Sequence, residues 1–533
     1  MLALFSLLLF CYCNCMCVKA KVAEMIRIAL SQTMAIMVKN LIMVSFGMSI
    51  GFRTVLIGGV LHDDEFQGVG ESELSWLGSI SMLTLLVGCI GSGFVTQPIG
   101  RKRSMQFVTI PYVSCWVGYY FSTKIWHLYI VLMVMGFFSG LVEGPFNTYV
   151  SEVTQPHLRG VLSISGSMSV MLGSFLQFLI GTFFKWRICA LISCAFPLVT
   201  FFLFFLVPES PYWLISNNKL VEAKKSLAWL RGWTKVENIE LEIGSIIRHY
   251  AEERDQQTRK QSSFKEYFTP FLKKSFIYPL LLVSFAFMIS SFTGASTLQT
   301  YAIAIFGTMK LPINSYYATV CLGSVQLLGS LISIFLIRFL GKRRLFFIAI
   351  SCMCICNMII AIYAHFSGAL QINLTKDSGV STNLDVSDYK WVPLTFLILL
   401  SFMNNGGVHA LPWILMSEVY SYKTRSVGCG LSSAVSSLLS FVANNLFLRV
   451  TSFISIPGMY TLHCAVCIVG FLVLYFYLPE TEGKSLETIA DHFAQKIKLD
   501  NKVQKKPLKK GIDNTLFEYN ESNANVSHTV SKL

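Results

Sequence analysis

Long apolar stretches separated by short polar turns recur along almost the whole chain. A helix needs about 20 apolar residues to cross the roughly 30 Å hydrocarbon layer of a membrane, and twelve windows approach or exceed that length. Their hydrophobicity is continuous rather than alternating, which favours helices over the strands of a membrane barrel. The pattern predicts an all-α polytopic membrane protein with twelve transmembrane helices. Numbered in chain order, the windows cover residues 38–60, 75–97, 104–122, 126–150, 161–183, 187–207, 277–306, 315–339, 345–366, 392–416, 427–450 and 455–478.

Composition and charge add an orientation. Of the 533 residues, 53% are hydrophobic and 14% are charged, whereas soluble proteins carry about a quarter charged residues. The basic turns at 100–104, 341–344 and 422–425 fall on one side of the predicted bundle, which marks that side as cytoplasmic. The connector 208–274 and both termini are predicted on the same side. The net charge of +14 is therefore interpreted as topology and attraction to anionic lipid, not as nucleic-acid binding.

The opposite side receives two polar loops. One is the acidic "HDDEFQGVGESE" at 62–73, and the other is the loop 367–391. The second loop contains Asn373-Leu374-Thr375, an acceptor pattern for N-glycosylation. A glycan at Asn373 is predicted because the loop faces outward.

Three short motifs occur twice in the same order. "GRKR" at 100 returns as "GKRR" at 341, "PES" at 208 returns as "PET" at 479, and "SEV" followed by an Arg occurs at 151 and again at 417. Such self-similarity predicts two copies of a six-helix unit, with the extra residues in a loop. The predicted divisions are an N-terminal segment (1–37), two bundles (38–207 and 275–478), a cytoplasmic connector with amphipathic helices (208–274) and a tail (479–533).

Charged residues gather where the repeated motifs meet the cytoplasmic side. Two six-helix halves that rock about a solute need contacts on that side that can break and reform. Exposed ion pairs, each contributing about 0.2–1 kcal/mol, suit this role. The alternative is that these are ordinary charges that set topology. The predicted gating network consists of Glu152, Arg159, Glu418, Arg425, Arg101, Lys102, Lys342, Arg343, Glu209 and Glu480.

Several longer motifs carry a family resemblance. They are "GFVTQPIGRKR", "YVSEVTQPHLRG", "VPESPYWL", "ALPWILMSEVYSYKTRS" and "LPETEGKSLETI". Together they resemble the signature set of the sugar porter family of the major facilitator superfamily, over residues 38–490. "ESELSWLGSI" and Tyr212 resemble the insect facilitated trehalose and glucose transporters within it. The resemblance implies solute transport by alternating access.

The resemblance also implies where a solute would bind. In the seventh window the family's amide-rich pattern is replaced by "SSFTGAS", and in the fifth a usual Gln is replaced near Ser167. Hydroxyls offer no bidentate amide, so weak glucose binding or another substrate is expected. Trp413 is a candidate platform for a sugar ring, and His409 is either a solute contact, a proton relay or a packing residue. The candidate substrate-binding residues are Trp413, Ser290, Ser291, Ser296, Thr300, Ser167 and His409.

Two ionisable residues lie deep in apolar windows, where charges are functional hypotheses. By the same resemblance, Arg53 stands at the position where proton-coupled family members carry an Asp. Leu132 stands at the position where many members carry an Arg. Glu143 lies about 13 Å along its helix from the cytoplasmic end. We hypothesise that Arg53 and Glu143 form a buried pair; the alternative is that Arg53 extends toward the outer surface. Loss of the Asp favours facilitated diffusion over proton symport, unless Glu143 titrates.

These observations favour a facilitative transporter for trehalose or a glucose-like sugar. Alternatives are a carrier of another small solute, such as a polyol or an organic anion, and a nutrient sensor that does not transport. The chain has no catalytic residue set and no phosphate-binding loop, so no enzyme activity, cofactor or metal is expected. The expected partners are a small-molecule sugar and the lipid bilayer.

The two ends of the chain leave alternatives open. The first twenty residues are apolar and contain four alternating cysteines, which is compatible with a signal, an acylated anchor or an extra segment. The chain ends in Ser531-Lys532-Leu533, which matches a peroxisomal address. The plasma membrane is the predicted location and a peroxisomal or other internal membrane is the alternative.

Overall fold

The computed structural model is helical throughout and contains no strand among the residues that it describes. These are residues 2–66, 68–248, 271–309, 311–372, 389–420, 424–484, 486–493, 497 and 499. The predicted all-α fold class is confirmed. The first half consists of α1 (Leu2–His62), α2 (Glu71–Ile99), α3 (Arg101–Phe121), α4 (Ile125–Val153), α5 (Pro156–Phe183) and α6 (Trp186–Leu203).

Helix α1 begins long before the first apolar window, so the predicted division at residue 38 falls inside it. Ser31 Oγ donates a hydrogen bond of 3.0 Å to the carbonyl of Leu230, and Gln32 Oε1 accepts one of 2.9 Å from the amide of Gln155. Both side chains are fully buried. The helix therefore packs against the connector before it reaches its apolar window.

The first half is closely packed because glycines let its helices approach. A Cβ on Gly47 of α1 would lie 2.0 Å from the carbonyl oxygen of Val170, and one on Gly173 of α5 would lie 2.1 Å from that of Val44. Real Cβ contacts are never so short, so only glycine permits this approach. Small residues serve helix packing in membranes in this way.

The connector forms short helices, as its amphipathic spacing predicts. They are α7 (Pro211–Ser216), α8 (Leu220–Leu230) and a 3₁₀ turn (Val236–Ile239), with further helix at 240–248. Their apolar faces meet in a small core apart from the main one. Its members are Trp213, Leu214, Ile215, Ala223, Leu227, Ala228, Ile239 and Ile243.

The second half is more interrupted than the first. It consists of α9 (Lys274–Phe292), α10 (Ala295–Thr308), α11 (Ser315–Leu340), α12 (Lys342–Phe366), α13 (Trp391–Met403), α14 (Ala410–Glu418) and α15 (Arg425–Tyr477), followed by α16 (Leu486–Phe493). A π-helical turn, Asn404–Val408, joins α13 to α14. The halves meet where α15 packs on α2, α11 on α5 and α10 on α1.

Within the described residues, ten helical segments are long and apolar enough to span a membrane. Helix α3 is not among them. Helix α15 has 53 residues, about 80 Å if straight, which is far more than one crossing requires. Its backbone breaks at Ser455 (φ 67°, ψ 167°), between segments 425–454 and 456–477. Each of the twelve predicted windows is mostly helical, and the number of crossings stays a prediction.

Candidate functional site

An ion-pair cluster lies where α3 begins and α4 ends in the first half. Arg101 donates from Nε (3.2 Å) and Nη2 (2.9 Å) to Glu152 Oε1. Ser210 Oγ donates to the other oxygen of Glu152. The Glu209 carboxylate accepts from the backbone amides of Lys102 (2.9 Å) and Arg103 (3.2 Å). A carboxylate at a helix N-terminus satisfies free N–H groups and complements the helix dipole.

The second half repeats this arrangement where α12 begins and α14 ends. Lys342 Nζ lies 2.6 Å from Glu418 Oε1 and 3.0 Å from Glu482 Oε2. The Glu480 carboxylate accepts from the backbone amides of Lys342 (3.2 Å) and Arg343 (3.1 Å). The two clusters together define what we call the network face.

A glycine makes each carboxylate cap possible. Gly100 and Gly341 precede α3 and α12 with φ of 105° and 81°, a conformation that side chains disfavour. A Cβ on Gly100 would lie 2.6 Å from the Glu209 carboxylate. The duplicated sequence therefore has a duplicated geometry.

The predicted network is not fully connected. No ion pair between described residues joins the first half to the second, because each cluster stays within its own half. Arg425 donates to the carbonyl of Tyr420 (3.3 Å) rather than to an acid, and Arg343 donates to the carbonyl of Tyr475 (2.7 Å). The side chain of Arg159 lies outside the described residues. Within the described residues, Arg425 forms no ion pair in this conformation, and its role in the network stays a prediction.

Lys102 remains at the edge of the first cluster. Burial lowers the pKa of its ammonium group, while the nearby Glu209 carboxylate opposes that shift. Its side chain is partly exposed, and the Glu209 carboxylate is bonded to backbone amides. It contributes charge to the network face rather than a direct pair.

A polar cluster occupies the middle of the second half. Ser290 Oγ lies 3.3 Å from His409 Nδ1, and Ser291 Oγ lies 3.4 Å from Ser440 Oγ. Asn444 Nδ2 donates to Ser296 Oγ at 3.3 Å. Most of these bonds are at the long end of the normal range. We call Ser290, Ser291, Ser296, His409, Ser440 and Asn444 the hydroxyl cluster.

The backbone that carries this cluster is broken at three places. Gly294 (φ 92°) separates α9 from α10, and a Cβ there would lie 2.8 Å from the His463 ring. Tyr301 leaves helical geometry inside α10. The π-helical turn precedes His409 and α14. π-bulges are frequent at functional sites because they re-aim side chains.

The remaining substrate candidates are only partly gathered. Trp413 is half-buried and packs edge-on against Phe287, with ring centroids 5.2 Å apart. The Thr300 hydroxyl donates to the Ser296 carbonyl of its own helix (3.2 Å). Ser167 is exposed on α5, and no described contact joins it to the cluster.

Two members of the cluster were absent from the sequence-based set. Asn444 and Ser440 lie on α15, and the amide is 1% exposed. The available signal was Asn444-Asn445, two consecutive amides inside an apolar window. Buried amides in such a window require polar partners.

Arg53 and Glu143 do not form the hypothesised pair. The Arg53 guanidinium donates to Gly78 O (3.5 Å) and Ser81 Oγ (3.4 Å). The Glu143 carboxylate instead accepts from Cys89 Sγ (2.9 Å) and from Ser433 Oγ (2.7 Å). Helix rotation points the two charges at different neighbours, which spacing along the sequence does not reveal. Arg53 is buried, so the alternative of extension toward the surface is also not observed.

Contacts between the halves lie mainly toward the end opposite the network face. Thr54 Oγ1 donates to the Gln299 carbonyl (2.6 Å). The others there are Asn445 to Ser79 (3.1 Å), Arg449 to Ser72 (3.1 Å) and Thr182 to Tyr316 (3.5 Å). Nearer the network face, the described bond is the one from Ser433 to Glu143. The halves are therefore held together most firmly at one end.

The predicted glycosylation site is not part of these clusters. Asn373 lies outside the described residues. Among the described residues, no group of three or more His, Cys, Asp or Glu side chains is placed to hold a metal ion.

Comparisons with known proteins agree with this fold. A family model described as "Sugar (and other) transporter" matches residues 39–493. A facilitated trehalose transporter, Tret1, from Bombyx mori is 28% identical over 444 residues, which are 83% of each chain. Tret1 from Apis mellifera ligustica is 27% identical over 79% of each chain.

Solved structures show the same fold. The inward-open xylose transporter XylE from E. coli superimposes with a TM-score of 0.64 at 17% identity, over 85% of this chain and 99% of that one. A partially occluded inward-open structure of XylE gives 0.63. Because the family match spans most of the chain, this protein belongs to the sugar (and other) transporter family.

Proposed function

We propose that this protein carries trehalose or a glucose-like sugar across the membrane by alternating access, as a facilitator. The names of its relatives support the solute class, since Tret1 proteins are facilitated trehalose transporters. The fold it shares with XylE supports two halves that move about a central solute.

The observation that carries the proposal is the uneven contact between the halves. Side-chain hydrogen bonds hold them together at the end opposite the network face, as in Thr54–Gln299 and Asn445–Ser79. At the network face, the Arg101–Glu152 and Lys342–Glu418 pairs stay inside their own halves. This pattern supports a conformation closed on one side and held loosely on the other. In the opposite conformation, the network-face charges would meet across the halves.

The hydroxyl cluster is the proposed solute site. Ser290, Ser291 and Ser296 have long hydrogen bonds to His409, Ser440 and Asn444 respectively, which sugar hydroxyls can replace. Trp413 offers an aromatic face of the kind that packs on sugar rings. Each sugar hydroxyl left unpaired would cost about 1–3 kcal/mol, so a sparse site favours modest affinity.

Facilitated diffusion is proposed because acids are scarce inside the membrane. Glu143 is the one carboxylate inside the twelve apolar windows, and it is hydrogen-bonded to Cys89 and Ser433. Arg53 stands at the position where proton-coupled members of the family carry an Asp. With this single buried carboxylate held by Cys89 and Ser433, transport independent of a proton gradient is the proposed mode.

The proposed topology has twelve crossings and cytoplasmic termini in the plasma membrane. Helix α15 then supplies two crossings that turn at Ser455, and α3 supplies one despite its lower hydropathy. Tags at both termini should be accessible from the cytoplasm only, and Asn373 in the acceptor pattern at 373–375 should carry a glycan. A terminus that labels from outside would contradict this arrangement.

Uptake into proteoliposomes tests the function. Labelled trehalose and glucose are supplied with and without a proton gradient, and a protein-free vesicle is the blank. Saturable uptake that the gradient does not alter supports the proposal, and Glu143→Gln should retain it. Gradient-driven accumulation that Glu143→Gln abolishes would instead establish symport. Binding without uptake would indicate a sensor.

A further inference from the structure

A small cavity lies in the first half, lined by residues of α1, α2, α3 and α4. Its volume is about 20 Å³. One water-sized occupant needs about 10–15 Å³, so the cavity admits a small ion or a water and excludes a sugar. The wall includes Arg53, Ser49, Ser81, Tyr119 and Ser139, all from the first half. The lining residues thus belong to the first half, whereas the hydroxyl cluster belongs to the second.

Arg53 brings a charge to this cavity. The side chain is 4% exposed. A guanidinium has five N–H donors, yet the described hydrogen bonds use only Nη1, at 3.4 and 3.5 Å. Both distances exceed those of a good N–H···O bond. A buried charge with such weak partners is unfavourable unless another group neutralises it.

No described carboxylate neutralises Arg53. Among the acids of these four helices, Glu24 and Glu71 are exposed and Glu73 accepts from the Gly70 amide. Glu143 is held by Cys89 and Ser433, and Glu152 is paired with Arg101. Within the described residues, the Arg53 guanidinium is therefore left without a carboxylate partner.

Two hydroxyls beside the guanidinium are available as donors. Tyr119 is 2% exposed, and its hydroxyl makes no hydrogen bond to a described residue. Ser81 Oγ accepts from Arg53, and no described bond uses its proton. A guanidinium and two free O–H groups form a set of donors, which suits an anion.

We propose that this cavity binds a small monovalent anion of the size of chloride, with Arg53 as the countercharge and Tyr119 and Ser81 as hydrogen-bond donors. The anion stabilises the first half and is not the transported solute. A ligand that binds only the folded state raises the stability in proportion to its occupancy.

Thermal unfolding of the purified protein in detergent tests the site. Chloride is titrated against gluconate at constant ionic strength, since gluconate is too large for the cavity. The unfolding midpoint of the wild type should rise with chloride and saturate as for a single site. An equal midpoint in chloride and gluconate would show that the cavity holds water only, and would overturn the proposal.

Variants locate the response. Arg53→Gln should abolish the chloride dependence. Tyr119→Phe should raise the half-saturating chloride concentration about fivefold, because it removes one hydrogen bond. Arg187→Gln is the control, since Arg187 is paired with Asp63 (3.0 Å) and Glu65 (2.5 Å), and it should retain the response.

The outcome does not depend on a single variant. If Arg53→Gln fails to fold, two other measurements decide whether the anion binds in this cavity. They are the rise in the half-saturating chloride concentration of Tyr119→Phe and the position of an anomalous bromide peak in crystals. A chloride response that persists in Arg53→Gln, or a bromide peak away from Arg53, would contradict the assignment.

Discussion

Asn444 holds the hydroxyl cluster together from α15. Its Nδ2 donates to Ser296 Oγ and to the Ser440 backbone carbonyl (2.8 Å). Its backbone carbonyl accepts from the Tyr301 hydroxyl (2.9 Å). The side-chain oxygen Oδ1 is buried without a hydrogen-bond partner among the described residues. An unsatisfied buried acceptor is costly, so a sugar hydroxyl that reaches it is bound favourably.

Asn444→Ala is therefore expected to weaken solute binding. Loss of one amide contact should cost about 1–2 kcal/mol and raise the KM for trehalose about five- to thirtyfold. Initial uptake rates in proteoliposomes over a range of trehalose concentrations measure it. Asn445→Ala is the matched control, because Asn445 bonds to Ser79 across the halves and should alter the maximal rate more than KM. Equal KM values in both variants would exclude the role of Asn444.

At the scale of the element, α3 and α12 depend on carboxylate caps. Glu480 is 1% exposed and accepts from the amides of Lys342, Arg343 and Glu482. Three backbone donors on one buried carboxylate make it a stronger stabilising contact than an exposed ion pair.

Glu480→Gln should destabilise the fold by about 1–3 kcal/mol. The substitution replaces a charged acceptor of three backbone amides by a neutral carboxamide, which also brings two N–H donors into a buried site. Glu482→Gln removes only a partly exposed partner of Lys342 and should cost less than about 1 kcal/mol. Both are compared by unfolding midpoints in the same detergent. Equal unfolding midpoints for the two variants would mean that the Glu480 cap stabilises the fold no more than the exposed ion pair does.

The break in α15 leads to a second prediction for an element. Ser455 has a positive φ, which costs a residue other than glycine about 1–3 kcal/mol. Ser455→Gly should raise the unfolding midpoint, because the relief of strain exceeds the entropy of the added glycine. Ser452→Gly, three residues earlier in the helix, should lower it by about 1 kcal/mol. A lower midpoint in both variants would argue against a sharp turn at this position.

For the whole molecule, the contacts between the halves imply a closed end. Ser79→Cys and Asn445→Cys replace two side chains that are hydrogen-bonded across the halves at 3.1 Å. Oxidation of the double variant should cross-link it and stop uptake, and reduction should restore uptake. The wild type, which has 15 native cysteines, is treated in parallel as the control.

A second pair tests the other end. Ser151 and Ser417 are exposed at the network face, and no described contact joins them. Cysteines at these positions should cross-link slowly unless the halves exchange conformations. Rapid cross-linking there, with none between positions 79 and 445, would mean that the resting protein is closed at the network face instead.

The fold and one part of the candidate site were accessible before the structure. Sequence alone predicts the apolar windows, their order and the repeated motifs, because these features depend on local hydrophobic length and on residue identity. The caps by Glu209 and Glu480 follow the same repeat, and their equivalent positions were visible in "PES" and "PET". The number of crossings and the cytoplasmic tail stay predictions.

The partners of individual charges depended on tertiary structure. Arg53 and Glu143 looked complementary along the chain, yet the packing of α1 against α2 directs the arginine to Ser81, and the packing of α4 against α15 directs the carboxylate to Ser433. Likewise, Asn444 joined the serines of α10 only because α15 packs beside them. Hydrophobic length and basic turns act within a segment, so sequence alone determines the spans and their repetition. Which side chains meet depends on the rotation and approach of separate helices, and the summed packing of the whole bundle decides it.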